Sequence, residues 1–209
     1  MLKNPYKGKF IVFEGLDGSG TTTQAELLFK YFKKQGKKVY LTSEPTRSLI
    51  GGLISSQLSK QWHSSPECLQ LLFTADRDFH LEKEIIPLLK KGITVICTRY
   101  ILSTLAYGLL GIKDEKWLKE INKKFIWPDI TFLIKVSPKI CIQRIKRERF
   151  HEELFEKDDK LKKVLKNYLK FAKKLKNIYI INGERSIEQI FEEIKATVNI
   201  HYFSKKSLI

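Results

Sequence analysis

Negative charge is in short supply along this chain. Asp and Glu number 23 against 39 Lys and Arg, a formal net charge of +16. Such a balance favours anionic partners: nucleotides, nucleic acid or an acidic surface. Yet Lys30, Lys33, Lys34, Lys37 and Lys38 read as a solvated helix end and turn. No basic stripe is interleaved with aromatics in the manner that grips single strands, so a nucleic-acid partner is not expected. Cysteine is also sparse. Cys68, Cys97 and Cys141 are widely spaced and odd in number, which suits neither a disulfide framework nor a zinc site and points to a reduced, cytoplasmic protein. No apolar run approaches the roughly 20 residues of a membrane span, so no membrane partner is expected. The N-terminus carries no signal-peptide pattern. Repeats and low-complexity segments are lacking too. Against these absences, 43% hydrophobic and 30% charged residues over 209 positions describe one domain, 1–209, long enough for a full core.

The chain is organised around one stretch. Phe10 to Phe13 is an apolar run that reads as a buried strand. Gly15, Gly18 and Gly20 follow as a turn, and Thr22 to Phe32 places Ala25, Leu28, Phe29 and Phe32 at helical spacing. Strand, glycine loop and helix form the context of a phosphate-binding loop, here about 15–22. The glycines let successive N–H groups turn inward, and the helix N-terminus adds its positive dipole end. Gly15 and Gly20 have the required spacing, and Thr22 stands at the hydroxyl position that touches Mg²⁺. The lysine of that pattern is replaced by Thr21.

Further along, strands are expected at Lys9–Glu14, Val39–Thr42, Ile93–Cys97, Asp129–Val136 and Asn177–Ile181. Helices are expected over 22–35, 49–58 and 64–91, through Leu102, Leu105 and Leu109, over 114–125, from Ser137-Pro138 to the basic end at Arg149, over 158–176 and over 186–200. The helix over 64–91 is read as continuous and closed by Gly92. Ser186 and Gln189 are spaced as a capping box. Phe150 to Phe155 reads as a flexible connection. Apolar strands alternating with helices predict a three-layer α/β/α sandwich with a five-stranded parallel sheet and a lid segment at about 144–156. In such sheets ligands bind beyond the carboxyl ends of the strands. The glycine loop, Glu44-Pro45, Thr98-Arg99-Tyr100 and Ser137-Pro138 all fall there.

Several stretches coincide in order and spacing: Phe-Glu-Gly-Leu-Asp-Gly-Ser-Gly at 13–20, Glu44-Pro45, Leu72-Phe-Thr-Ala-Asp-Arg77, Arg99-Tyr-Ile-Leu-Ser103-Thr-Leu-Ala-Tyr107 and Trp127-Pro-Asp129. The chain resembles the thymidylate kinase family, phosphate-loop kinases that move the γ-phosphate of ATP to dTMP. The resemblance covers nearly the whole length. It implies ATP at Gly15, Leu16, Asp17, Gly18, Ser19, Gly20, Thr21, Thr22 and Thr23, with Mg²⁺ at Thr22. It implies dTMP at Asp17, Glu44, Pro45, Arg47, Phe73, Arg77, Arg99, Ser103 and Tyr107. Phe73 would stack on the base, Arg77 would bond it, and Asp17 would meet the sugar 3′-hydroxyl. The alternatives are ordinary: Phe73 as core, Arg77 in a surface pair with Asp76 or Glu82, Asp17 as a turn residue. Arg99 would lie between donor and acceptor phosphates. Arg144, Arg147 and Arg149 would belong to the lid and supply charge to ATP, Arg144 at the nucleotide and the other two in catalysis; alternatively they are a solvated basic helix end. A planar guanidinium suits a phosphate. The family implies a homodimer.

Four positions depart from the family pattern. Thr21 replaces lysine, Ser43 an arginine before Glu-Pro, Thr98 an aspartate before Arg-Tyr, and Gly108 a glutamine after Tyr107. Three of these remove charge from the phosphate path. One reading is an active kinase with rearranged charges, in which Arg47 reaches the acceptor phosphate and Asp17, Glu14 or Glu44 holds Mg²⁺ through water. Another is a nucleotide-binding relative with weak or no catalysis. A third keeps the chemistry and changes the acceptor to another deoxynucleotide or nucleoside.

Overall fold

The computed structural model describes residues 2–148, 154–155 and 158–203. Five parallel strands form the central sheet: β2 (Phe10–Gly15), β3 (Val39–Ser43), β4 (Thr94–Thr98), β6 (Ile130–Lys135) and β7 (Ile178–Asn182), in the order β3-β4-β2-β6-β7. Every residue of β2 is buried, its apolar run Phe10 to Phe13 as a strand covered on both faces requires, and Glu14 with it. Two strands were not anticipated. β1 (Leu2–Lys3) pairs in parallel with β5 (Ile126–Trp127), and two residues are too short a run to show a period.

Helix α1 (Thr21–Lys34) follows the glycine loop and packs with α9 (Ile187–Phe203). Helix α5 (Ile101–Gly108) packs against α8 (Asp158–Ala172), and both meet the sheet. Helix α2 (Leu49–Leu58) has the expected bounds, with Ser48 accepting from Gly51 N as its cap. Helix α6 (Glu115–Asn122) is shorter than the expected 114–125, with Asp114 as its cap. Ser186 and Gln189 exchange the two bonds of a capping box before α9.

The expected single helix over 64–91 is modified. It runs as α3 (Pro66–His80), passes through one π turn at Leu81–Ile85, and ends as α4 (Ile86–Lys90). Pro87 is the physical reason: it has no N–H and its ring crowds the carbonyl four residues back, so the ladder widens just before it. Helix α7 (Pro138–Glu148) leads toward the expected lid. Of the connection read over 150–155, only 154 and 155 are described; Leu154 N donates to Leu58 O at the end of α2, 3.0 Å away.

Candidate active site

The sheet order turns at β2, whose neighbours β4 and β6 leave it in opposite directions along the sheet. The glycine loop leaves the carboxyl end of β2 at this point, where α/β sheets open a crevice. Gly18 and Gly20 adopt φ of 75° and 92°, a region open to glycine. A Cβ at Gly18 would lie 2.6 Å from Cys141 O on α7, so the loop is pressed against that helix. Gly20 caps α1 without any side-chain bond, leaving the first-turn N–H groups for an anion. Gly15, Leu16 and Ser19 are buried; Thr22 and Thr23 face solvent at the mouth. Ser19 Oγ is buried without a partner among the described residues.

Arg99 is the hub. It follows β4 with φ of 65°, its N–H bonded to Phe13 O at 2.8 Å. Its guanidinium donates to Gly15 O (3.2 Å), Ser103 Oγ (3.3 Å) and Asp17 Oδ1 (2.5 Å). The Tyr107 ring lies under it, 5.2 Å from centroid to Cζ. Tyr107 donates its hydroxyl to Asp17 Oδ2 at 3.0 Å. Burial raises the Tyr107 and Tyr168 hydroxyls above the ordinary tyrosine range, so both remain donors.

Behind Arg99 sits Glu14, fully buried. It accepts from Tyr100 N (3.0 Å), Ser103 N (3.2 Å), Ser103 Oγ and Tyr168 Oη (3.2 Å). Burial pushes its carboxyl from 4.5 up to about 7, while bonds from Ser103 and the charge of Arg99 pull the other way. Glu14 thus fastens the turn that carries Arg99 and spends its oxygens on protein partners. Glu44 does likewise: it is buried and accepts from Arg77 Nε and Nη2 at 3.0 and 2.7 Å.

Beside the hub lies a cavity of about 280 Å³. Asp17, Thr21, Thr22, Glu44, Pro45, Phe73, Arg77, Arg99, Ser103 and Tyr107, all named from the sequence, line it. Arg77 is no surface residue. It is 1% exposed, bonded to Glu44, Asn122 and Thr104, and its guanidinium lies 4.9 Å from the Tyr100 ring centroid. Asp76, one of the surface partners considered for Arg77, instead accepts from Thr46 N, Thr46 Oγ1 and Ser48 Oγ. Arg47, held between those two residues, is exposed and outside the cavity wall. Arg144 donates to Gly18 O at 3.4 Å and Gly183 O at 3.1 Å, tying α7 to the glycine loop. Arg147 is exposed; Arg149 lies outside the described residues.

Sequence reasoning missed the contacts of Tyr168, Thr104 and Asn122. Tyr168 sits in a helical apolar pattern with Leu161, Val164 and Leu165, which reads as core. Thr104 and Asn122 carry no local signal; only folding sets them against Arg77.

Among the described residues no cluster of three or more acidic, histidine or cysteine side chains could hold a metal. The donors at the loop mouth are hard oxygens, Thr22 Oγ1 foremost. That set fits Mg²⁺ carried in largely on a nucleotide's phosphates.

A parallel sheet with an uncapped glycine loop and an arginine between loop and cavity defines a phosphate-loop phosphotransferase. A family model described as thymidylate kinase matches residues 13–194. A probable thymidylate kinase of Pyrococcus abyssi is 41% identical over 197 residues, covering 92% of this chain and 96% of that protein. The thymidylate kinase of Caldicellulosiruptor saccharolyticus is 35% identical over 199 residues, covering 92% and 97%. The solved thymidylate kinase of Candida albicans, described as having broad substrate specificity and a novel structural element, superposes with a TM-score of 0.77 at 26% identity, covering 93% and 92%. The chain belongs to the thymidylate kinase family and is a nucleoside monophosphate kinase.

Proposed function

We propose that this protein transfers the γ-phosphate of ATP to dTMP, giving dTDP and ADP. The observation that carries the reading is the position of Arg99. It reaches the phosphate loop through Gly15 O and Asp17, and the acceptor cavity through Ser103 and Tyr107. An acceptor phosphate oxygen forms the new bond to the γ-phosphorus, and the bridging oxygen leaves with its electron pair on ADP. Such transfer needs positioning and charge neutralisation more than covalent help. The first-turn N–H groups of α1 hold the donor phosphates, and Arg99 neutralises the transferring group. Phe73 receives the base. Mg²⁺ bound with ATP would supply positive charge to the phosphates, and the Thr22 hydroxyl would be the side chain that holds it.

The lid arginines Arg147 and Arg149 supply the charge that Thr21 does not. Arg47 stands exposed on the loop that Asp76 holds next to Glu44-Pro45 of the cavity wall, and its guanidinium is the charge proposed for the acceptor phosphate in place of an arginine at 43. Leu71, Ala75 and Phe79 form an exposed apolar stripe on α3, the support for a homodimer. Burial raises the Cys97 and Cys141 thiols, Cys141 to about 12, which keeps them inert and suits a reduced cytoplasmic setting. No helix of the described residues is long and apolar enough to cross a membrane.

The test is ADP release with ATP and Mg²⁺ across dTMP, dUMP, dCMP, dGMP, AMP and thymidine. Turnover should be greatest with dTMP. Nucleotide binding without turnover on any acceptor would overturn the reading.

A further inference from the structure

One residue lining the acceptor cavity carries a buried side-chain atom with no hydrogen-bond partner among the described residues. Gln70 stands on α3 one turn before Phe73 and two turns before Arg77, so helical spacing sets the three on one face. It is 3% exposed and lines the cavity. Its side-chain Oε1 receives no hydrogen bond from the described residues. A buried, unpaired carbonyl oxygen is costly, and a donor that reaches it from the cavity would remove that cost.

Gly108 makes the room. A Cβ there would come within 3.3 Å of Gln70 Cδ and 3.0 Å of Leu118 Cδ2. The space that a side chain at 108 would enter is therefore taken by the Leu118 methyls and the Gln70 amide. The departure at 108 and the amide at 70 are one arrangement.

Arg77 supplies the complementary group. Of its five N–H donors, Nε and one on Nη2 go to Glu44, the other on Nη2 goes to Thr104, and one on Nη1 goes to Asn122. One N–H on Nη1 remains. Two lining residues beside Phe73 thus keep one acceptor and one N–H without a partner among the described residues.

We propose that Gln70 is a specificity-determining residue for the acceptor base. Its Oε1 accepts the ring N–H of a pyrimidine imide lying on Phe73, while the remaining Arg77 N–H donates to an adjacent ring carbonyl. This rests on the dTMP reaction proposed above and names the atom that reads the ring nitrogen. Thymine and uracil carry that N–H beside carbonyls. Cytosine carries a bare ring nitrogen beside an amino group, so a lone pair would face Oε1 and a donor would face Arg77.

The experiment is steady-state kinetics of wild type and Gln70→Met with dTMP and dCMP. Methionine keeps the length and removes the acceptor. The dTMP-over-dCMP preference in kcat/KM should fall at least tenfold, through KM for dTMP, with kcat within twofold. An unchanged preference overturns the proposal. A ligand-side arm needs no variant: on wild type, a dTMP analogue with C–H in place of the ring N–H should lose at least tenfold in kcat/KM, and equal use of both overturns it. Should wild type not turn over dTMP, the reaction reading fails separately. Calorimetric binding of thymidine to wild type and Gln70→Met then decides Gln70, equal affinity counting against it.

Discussion

Arg99 holds a backbone conformation that costs a non-glycine residue about 1–3 kcal/mol. Glu14 and Phe13 O hold it there, and the gain is a guanidinium aimed at loop and cavity together. Arg99→Ala should lower turnover at least about 100-fold, as loss of one charged transition-state contact does. Asp17 is partly exposed and tolerates the loss, so thermal unfolding should stay near that of wild type; activity within twofold of wild type would remove Arg99 from the mechanism. Glu14 gives a pH signature. Its carboxyl is raised when folded, so the folded state prefers it protonated. The stability it contributes is complete below about 4.5 and is lost as pH rises through about 7. Over that interval the change amounts to about 3 kcal/mol. Glu14→Gln should flatten the fall in Tm across it, and an unaltered slope would show that Glu14 is not the titrating group. Glu14 was legible as part of the glycine-loop motif, but its partners were not: Ser103 and Tyr168 are 89 and 154 residues away.

At the scale of elements, α3 does three things from one surface. Phe73 and Arg77 face the cavity, and Asp76 bonds the loop that precedes α2. A Cβ at Gly51 would fall 1.9 Å from Thr46 O, so that loop closes tightly on the start of α2. Asp76→Ala would leave Thr46 N and two hydroxyls without their acceptor, destabilising by about 2–3 kcal/mol. If Arg47 serves the acceptor phosphate, the same change should raise KM for dTMP more than for ATP. Equal changes in both would separate Arg47 from the acceptor. The strong period of α3 and its glycine stop were readable, because both are local. The π turn at Leu81–Ile85 was signalled only by Pro87, and a helix can answer such a residue by a kink, a break or a widened turn.

For the whole molecule, the departures at 43 and 98 acquire a meaning that neither has alone. Ser43 and Thr98 are register partners on adjacent strands. The arginine and the aspartate of the family pattern are thus replaced together at one place, which leaves the local charge balance unchanged. Recognition between copies also belongs to this scale. Leu71→Glu with Phe79→Glu should shift a dimer to monomer in light scattering, with the fold retained because both side chains are exposed. Monomer in the wild type would refute the dimer.

Local pattern sufficed for the five strands of the central sheet, the glycine loop, the capping box before α9 and the family, because a buried strand, a phosphate nest and a cap are each written within a few residues. Other features arose only when the sheet brought distant segments together. Arg77 was legible as a candidate for the base, but its burial against Thr104 of α5 and Asn122 of α6 was not. Asp76 turned to a loop 30 residues earlier. Gln70 Oε1 lies buried without a partner, and Gly108 is the residue that leaves room for its amide. Burial and partner choice follow from which surfaces meet, and that is a property of the packed chain and of no segment within it.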